Sequence, residues 1–233
     1  MMLLSLGLSN YSSDEPMLEE IIIESAPRLE TFFHLHRNKE LRVTVLSAPK
    51  LETLGCTIST RLVIGSTKII QKGLRIDGLA PVVRTIKCLA LCMPTLSLDK
   101  VVEFLRCFPC LEKLYIQCDT PRKNKVGSRK HWDLIGHHDI RLKTVVLNYY
   151  PGRMSPIGLV WFFILNARLL ESMTVVVKTD TEKLLAKKHW NQQIENMASK
   201  GAQFDFTTQS RHKFGDIKYV HDLDPNYPFE WLF

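Results

Sequence analysis

Three groups of residues in this 233-residue chain have the types and spacing for chemistry. The first is Cys107-Phe108-Pro109-Cys110, which has the spacing of a redox dithiol. In a disulfide-exchange site the pair opens a helix, whose N-terminal amides lower the thiol pKa. Here the pair closes a stretch of helical periodicity, Ser97 to Cys107, and precedes a Leu-rich strand pattern. That placement removes the pKa-lowering effect, so both cysteines are expected to act as packing thiols. Cys88 and Cys92 supply no second pair at zinc-finger spacing. The second group is His131, His137 and His138 with Asp133 and Asp139. Their flanks, Gly127-Ser128-Arg129-Lys130 and Gly136, read as a loop without the surrounding hydrogen-bonding groups that orient metal ligands. Neither metal nor cofactor is expected.

The third group is basic. Arg122, Lys123, Lys125, Arg129 and Lys130 fall within Pro121 to Trp132, and Trp132 adjoins them. Cations beside an aromatic ring can contact phosphate and stack a base, and the same run resembles a nuclear-import patch. This makes it the candidate interaction loop of the chain. Its competing reading is a solvated insertion between two structural units, with an acidic protein as the next choice of partner. A folded nucleic-acid reader spreads positive charge along a face. Residues 1–118 instead carry 14 Lys/Arg against 12 Asp/Glu, and residues 119–233 carry 17 against 12. Nucleic acid is therefore not the expected partner, although a basic nucleic-acid-associated protein stays among the alternatives. No Gly-x-Ser-x-Gly, P-loop or Gly-x-Gly-x-x-Gly occurs, so the chain is read as a non-enzyme with no catalytic residues.

With 45% hydrophobic and 24% charged residues the chain can bury a substantial core. No apolar run approaches the roughly 18 to 20 residues that span a bilayer; Ile157 to Leu165 is the longest. The apolar start, Met1 to Leu8, has no preceding cation and no small-residue cleavage site, and is read as folded-domain sequence. Six cysteines with no disulfide-framework spacing suit a reducing compartment, cytoplasm or nucleus.

What positions these groups is an internal repeat. An apolar residue, two variable positions, an apolar residue, one variable position and a further apolar residue recur as Leu3/Leu6/Leu8, Leu51/Leu54/Cys56, Ile86/Leu89/Leu91, Leu111/Leu114/Ile116, Leu142/Val145/Leu147 and Leu170/Met173/Val175. Leu29 and Phe32 open a poorer copy with His34 in the third place. Such a pattern is the signature of leucine-rich repeats, whose units stack because none can bury its apolar stripe alone. Pro27, Pro49 and Pro109 each stand two residues before the first Leu, and Glu30, Glu52 and Glu112 just after it. The proline is expected to stop the preceding element and favour extended backbone into the strand.

Between strands, Ser97 to Cys107, Ser155-Pro156 followed by Ile157 to Leu165, and a capping box at Thr179–Glu182 predict helices, the last ending at Gly201. Met17 to Ser25 is a shorter helix candidate. Leu62-Val63-Ile64 and Leu74-Arg75-Ile76 read as short strands that lengthen the interval between the third and fourth copies. The aromatic tail, with Tyr227, Phe229, Trp231 and Phe233, is irregular and suited to packing back onto the domain. The expected fold is α/β, an irregular leucine-rich-repeat solenoid of parallel strands with helical connections. Its repeats occupy residues 1–134, and a separate-looking C-terminal region occupies 135–233. The variable strand positions line a curved face suited to protein binding.

Several stretches resemble the plant family that joins an F-box, leucine-rich repeats and a C-terminal FBD domain. They are Phe108-Pro109-Cys110-Leu111-Glu112-Lys113-Leu114-Tyr115-Ile116, Leu142 to Gly152, Phe162 to Glu171, Ala198 to Phe206 and His221-Asp222-Leu223. The resemblance implies the substrate-recognition part of an SCF-type ubiquitin-ligase receptor, with an FBD-like region over 135–233 and an unidentified protein partner. In that family the F-box docks on a Skp1-type adaptor and opens with a Leu-Pro-Asp-type motif. This sequence starts inside a repeat, so binding to the adaptor is not expected, and a truncated paralogue serving as a stand-alone binding module is the alternative.

Overall fold

The Leu-x-x-Leu-x-Leu spacing makes strands because side chains alternate across a strand, which puts the second and third apolar residues on one face. In a computed structural model of the chain, residues 5–8, 19–34, 41–56, 60–64, 67–70, 83–93, 98–118, 140–149, 157–177, 179–191, 195 and 197–208 are described. Each of the seven apolar copies builds one strand of an eight-stranded sheet, and a strand C-terminal to the copies is the eighth. These are β1 (Ser5–Leu8), β3 (Thr31–His34), β5 (Thr53–Cys56), β8 (Cys88–Met93), β9 (Lys113–Cys118), β10 (Thr144–Tyr149), β11 (Ser172–Val176) and β12 (Gln203–Thr207), neighbours in that order. All seven pairings are parallel. Register is fixed by the repeat: Phe32, Leu54, Leu89, Leu114, Val145, Met173 and Phe204 form one row, and all but Phe204 are fully buried. His34 falls in the next apolar row, opposite Cys56, so the poorer second copy is a genuine repeat.

The prolines act differently from the sequence expectation. Ala26-Pro27-Arg28-Leu29 and Ala48-Pro49-Lys50-Leu51 are tight turns closed by Leu N–H donating to the Ala carbonyl, both 3.1 Å. Phe108 to Leu111 repeats the turn at 3.1 Å, and Ala167 to Leu170 makes it at 3.3 Å without a proline. Proline suits the second position of such a turn because its φ is already fixed near the required value. Its task is to set the turn that aims the first Leu inward.

A second sheet holds β2 (Glu20–Ile23), β4 (Leu41–Val45), β6 (Thr60–Ile64) and β7 (Thr67–Ile70) in that order. The first three pair in parallel, and β7 closes as an antiparallel hairpin on β6. The helix expected over Met17 to Ser25 is therefore a strand. Three consecutive β-branched residues, Ile21-Ile22-Ile23, favour extended backbone, and Ile21 and Ile23 turn inward while Ile22 is exposed. β7 was not expected, and with β6 it lengthens the third interval; Leu74 to Ile76 lies outside the described residues.

After β8 the connections change to helices: α1 (Leu98–Cys107), α2 (Ile157–Asn166) and α3 (Asp180–Asn191). In α1, Val101, Val102, Phe104 and Cys107 are buried. α2 is apolar almost throughout, the mark of a helix enclosed on most sides. Its Phe162 and Phe163 rings meet edge-to-face with centroids 5.2 Å apart. α3 begins where the Thr179 carbonyl accepts from Lys183 N–H at 3.0 Å. It does not run to Gly201, which lies instead in the turn before β12. One core joins the inward rows of the large sheet to β4 (Val43, Val45) in the first half and to α1 and α2 in the second. No helix among the described residues is long and apolar enough to cross a membrane.

Candidate protein-interaction face

The strand positions between the core rows form the opposite face of the large sheet. One row reads Thr31, Thr53, Cys88, Lys113, Thr144, Ser172, Gln203. The next reads Phe33, Gly55, Ala90, Tyr115, Val146, Thr174, Asp205, and a third reads Cys92, Gln117, Asn148, Val176, Thr207. The inward rows are almost uniformly apolar, whereas these change character from strand to strand. Phe33, Ala90, Tyr115, Val146, Gln117 and Asn148 are nevertheless buried while standing outside the core cluster. Parallel sheets are ordinarily covered on both faces. Burial thins towards the C-terminal edge, where Ser172 and Thr174 are half-buried and Gln203 and Asp205 are exposed.

Two local features shape this face. A Cβ built on Gly55 would overlap the Phe33 ring, so glycine is what lets that ring lie across β5. On β9 the Gln117 side chain is 0% exposed, and neither its carboxamide oxygen nor its nitrogen has a hydrogen-bond partner among the described residues. A buried polar group without a partner is rare and costly.

At the entrance to the strands lies a row of charges: Glu30, Glu52, Lys87, Glu112, Lys143, Glu171. Each carbonyl in this row accepts from the following repeat, as when Lys87 N–H and Cys88 N–H both donate to Glu52 O at 2.8 and 3.0 Å. Lys87 Nζ donates to Glu52 Oε1 at 2.7 Å and Lys143 Nζ to Glu112 Oε2 at 2.9 Å. These hydrogen bonds, and then the charge of the same carboxylates, raise both lysine pKa values above the ordinary 10.5; Glu112 adds to the effect on Lys87 and Glu171 to that on Lys143. Two of the Glu residues that follow the first Leu in the sequence pattern, Glu52 and Glu112, are thus halves of inter-repeat ion pairs, a role their spacing alone did not show.

Two of the described thiols, Cys88 and Cys107, are chemically quiet. Cys88, Cys107 and Cys110 are free, so Cys107 and Cys110 form no disulfide. Burial pushes Cys88 up to about 12 against the pull of Lys113, and burial followed by Glu103 pushes Cys107 up to about 11. Cys107 ends α1, far from the helix start that would lower its pKa. Among the described residues no group of His, Cys, Asp and Glu could hold a metal. The basic loop (Arg122, Lys123, Lys125, Arg129, Lys130, Trp132) and the His131/His137/His138 group lie outside the described residues. So does the aromatic tail from Tyr227 to Phe233.

Comparison with known proteins agrees with this architecture. Residues 2–116 match the family model described as FBD-associated F-box protein At5g56370, LRR repeats. Over that stretch the chain is similar to this leucine-rich-repeat family. The matched segment begins before β1 and ends within β9, so it takes in the strand-backed units, β8 and α1. No match was found among curated proteins or among solved structures. The leucine-rich-repeat frame, with its uniform core rows and varied opposite face, is that of a protein-interaction module.

Proposed function

We propose that this chain is the target-recognition part of an SCF-type ubiquitin-ligase receptor and that it performs no chemistry of its own. One observation carries the reading. A rigid parallel frame, matching the repeats of a protein described as an FBD-associated F-box protein, presents residues that differ from strand to strand. A fixed backbone with varied side chains discriminates between partners by shape and charge, which is the task of a receptor. Recognition uses the opposite face at its more open end, around Ser172 and Thr174, where a partner's side chains reach the sheet.

The test is co-purification of the full chain from cells, scored for a Skp1-type adaptor and for a protein whose level rises when the chain is depleted. The expected result is recovery of such a target without the adaptor, and its loss from Thr174→Arg. If neither is recovered the ligase reading fails, and a stand-alone binding module takes its place.

A further inference from the structure

The turns that lead into the large sheet carry a row of positive charge. Arg28, Lys50, Arg84, Arg141, Arg168 and Lys200 stand before β3, β5, β8, β10, β11 and β12, one to a turn, and all are exposed. Cys110 holds the corresponding place before β9. Strand pairing aligns them. Thr31, Thr53, Thr144 and Gln203 share one register row, and Arg28, Lys50, Arg141 and Lys200 each stand three residues ahead of it. Arg84 and Arg168 stand four residues ahead of Cys88 and Ser172 in the same row. The backbone ladder reaches nearly as far as the cations, from Glu52 N–H donating to Glu30 O at 2.9 Å to Gln203 N–H donating to Glu171 O at 2.8 Å. Arg42, Lys87 and Lys143 have carboxylate partners, whereas among the described residues none of the six turn cations makes an ion pair. In the strand-entrance row beside them, Glu52 and Glu112 are already taken up by Lys87 and Lys143, so this edge of the sheet stays positive.

We infer that this row binds an acidic, extended segment of a protein partner, a second contact surface that rests on the protein-binding reading above. Like charges held along one edge repel, and a ligand of opposite sign relieves the repulsion while adding its own attraction. From β3 to β12 the row crosses strand steps of about 4.8 Å each, roughly 29 Å in all. An extended segment of about nine residues, at about 3.4 Å each, spans that length. Pro27 and Pro49 are exposed beside Arg28 and Lys50, and Leu169 beside Arg168 is 52% exposed, so the ridge meets apolar side chains as well as carboxylates. Nucleic acid fits this edge less well. Its backbone carries a charge at every step and would pass the exposed Glu30 and Glu171, whereas a peptide places carboxylates only where cations face them. Unpaired bases also need rings on which to stack, and no aromatic side chain is exposed among the described residues.

The experiment follows the fluorescence anisotropy of a labelled oligo-glutamate of about twelve residues, long enough for the row, as the full chain is added. Arg28→Gln, Arg141→Gln and Lys200→Gln, spread along the row, are each expected to weaken binding by about twofold to fivefold, the worth of one exposed ion pair. Arg42→Gln removes the same charge from the second sheet and leaves binding unchanged. Binding weakens as salt rises. The row variants melt with the native chain, because each loses an exposed side chain that has no ion pair. Equal losses in Arg42→Gln and the row variants would report net charge alone and overturn the inference. Absence of binding to oligo-glutamate, or tighter binding to an oligodeoxythymidylate of equal charge, overturns it as well. Those outcomes leave the protein-binding reading standing; it falls when the native chain recovers no target from cells, and takes this inference with it.

Discussion

Gly55 shows how a single residue sets the shape of the opposite face. Phe33 is 1% exposed although it points away from the core, and it reaches that burial by lying over the bare backbone of Gly55. Gly55→Val is expected to lower stability by about 1–3 kcal/mol, the usual cost of forcing a side chain into filled space. A urea midpoint equal to that of the native chain would show that the ring moves aside freely. The thiols make a second prediction at this scale. Cys88 and Cys107 ionise near the ordinary 9.0 when unfolded, but only at about 12 and about 11 in the folded chain. Above pH 9 the unfolded chain releases protons that the folded chain holds, so stability falls as pH rises through this window. In a thiol-reagent assay on folded protein, Cys110 should react first of the three, and early labelling of Cys88 would contradict its burial.

At the scale of elements, neighbouring repeats are held in register by their core rows and, at the strand entrances, by the charge row. Glu112 lies between Lys87 and Lys143 and favours the charged form of both. Glu112→Lys places three cations in a row and is expected to lower the melting temperature modestly, since these pairs are largely exposed. The difference should shrink in about 1 M salt, where the screening length falls to about 3 Å. A difference indifferent to salt would assign the loss to packing instead. The raised lysine pKa values mean that this contribution is complete below pH 10.5 and is lost only as the lysines deprotonate above it.

For the whole molecule, the change of backing from a second sheet to helices leaves the large sheet unbroken from β1 to β12. In a stacked array each unit is stabilised by its neighbours, and the end units have one neighbour fewer. Backbone hydrogen exchange should therefore be slowest in β9, β10 and β11, which have a strand on each side and α1 or α2 behind them, and fastest at β1 and β12. Equal protection across all eight strands would show instead that the sheet opens only as one unit.

The sequence by itself determined the repeat. The apolar triplets located seven of the eight strands of the large sheet, because burial of one strand face leaves a period that single residues reveal. It also located the starts of α1, α2 and α3, where capping residues leave a local mark. What backs the sheet in the first half was decided by tertiary structure. Ile21-Ile22-Ile23 is too short to separate strand from helix until it finds β4 beside it. Leu41-Arg42-Val43-Thr44-Val45, by contrast, alternates apolar and polar residues as a half-buried strand does, a legible signal that went unread. β12 escaped because Phe204 and Phe206 are its only inward apolar residues and no Leu precedes them at the repeat spacing. The interaction face depends most on three dimensions. Gln117 is an ordinary polar residue in the sequence, and only the pairing of β8, β9 and β10 places its amide, unpaired and sealed, at the centre of that face.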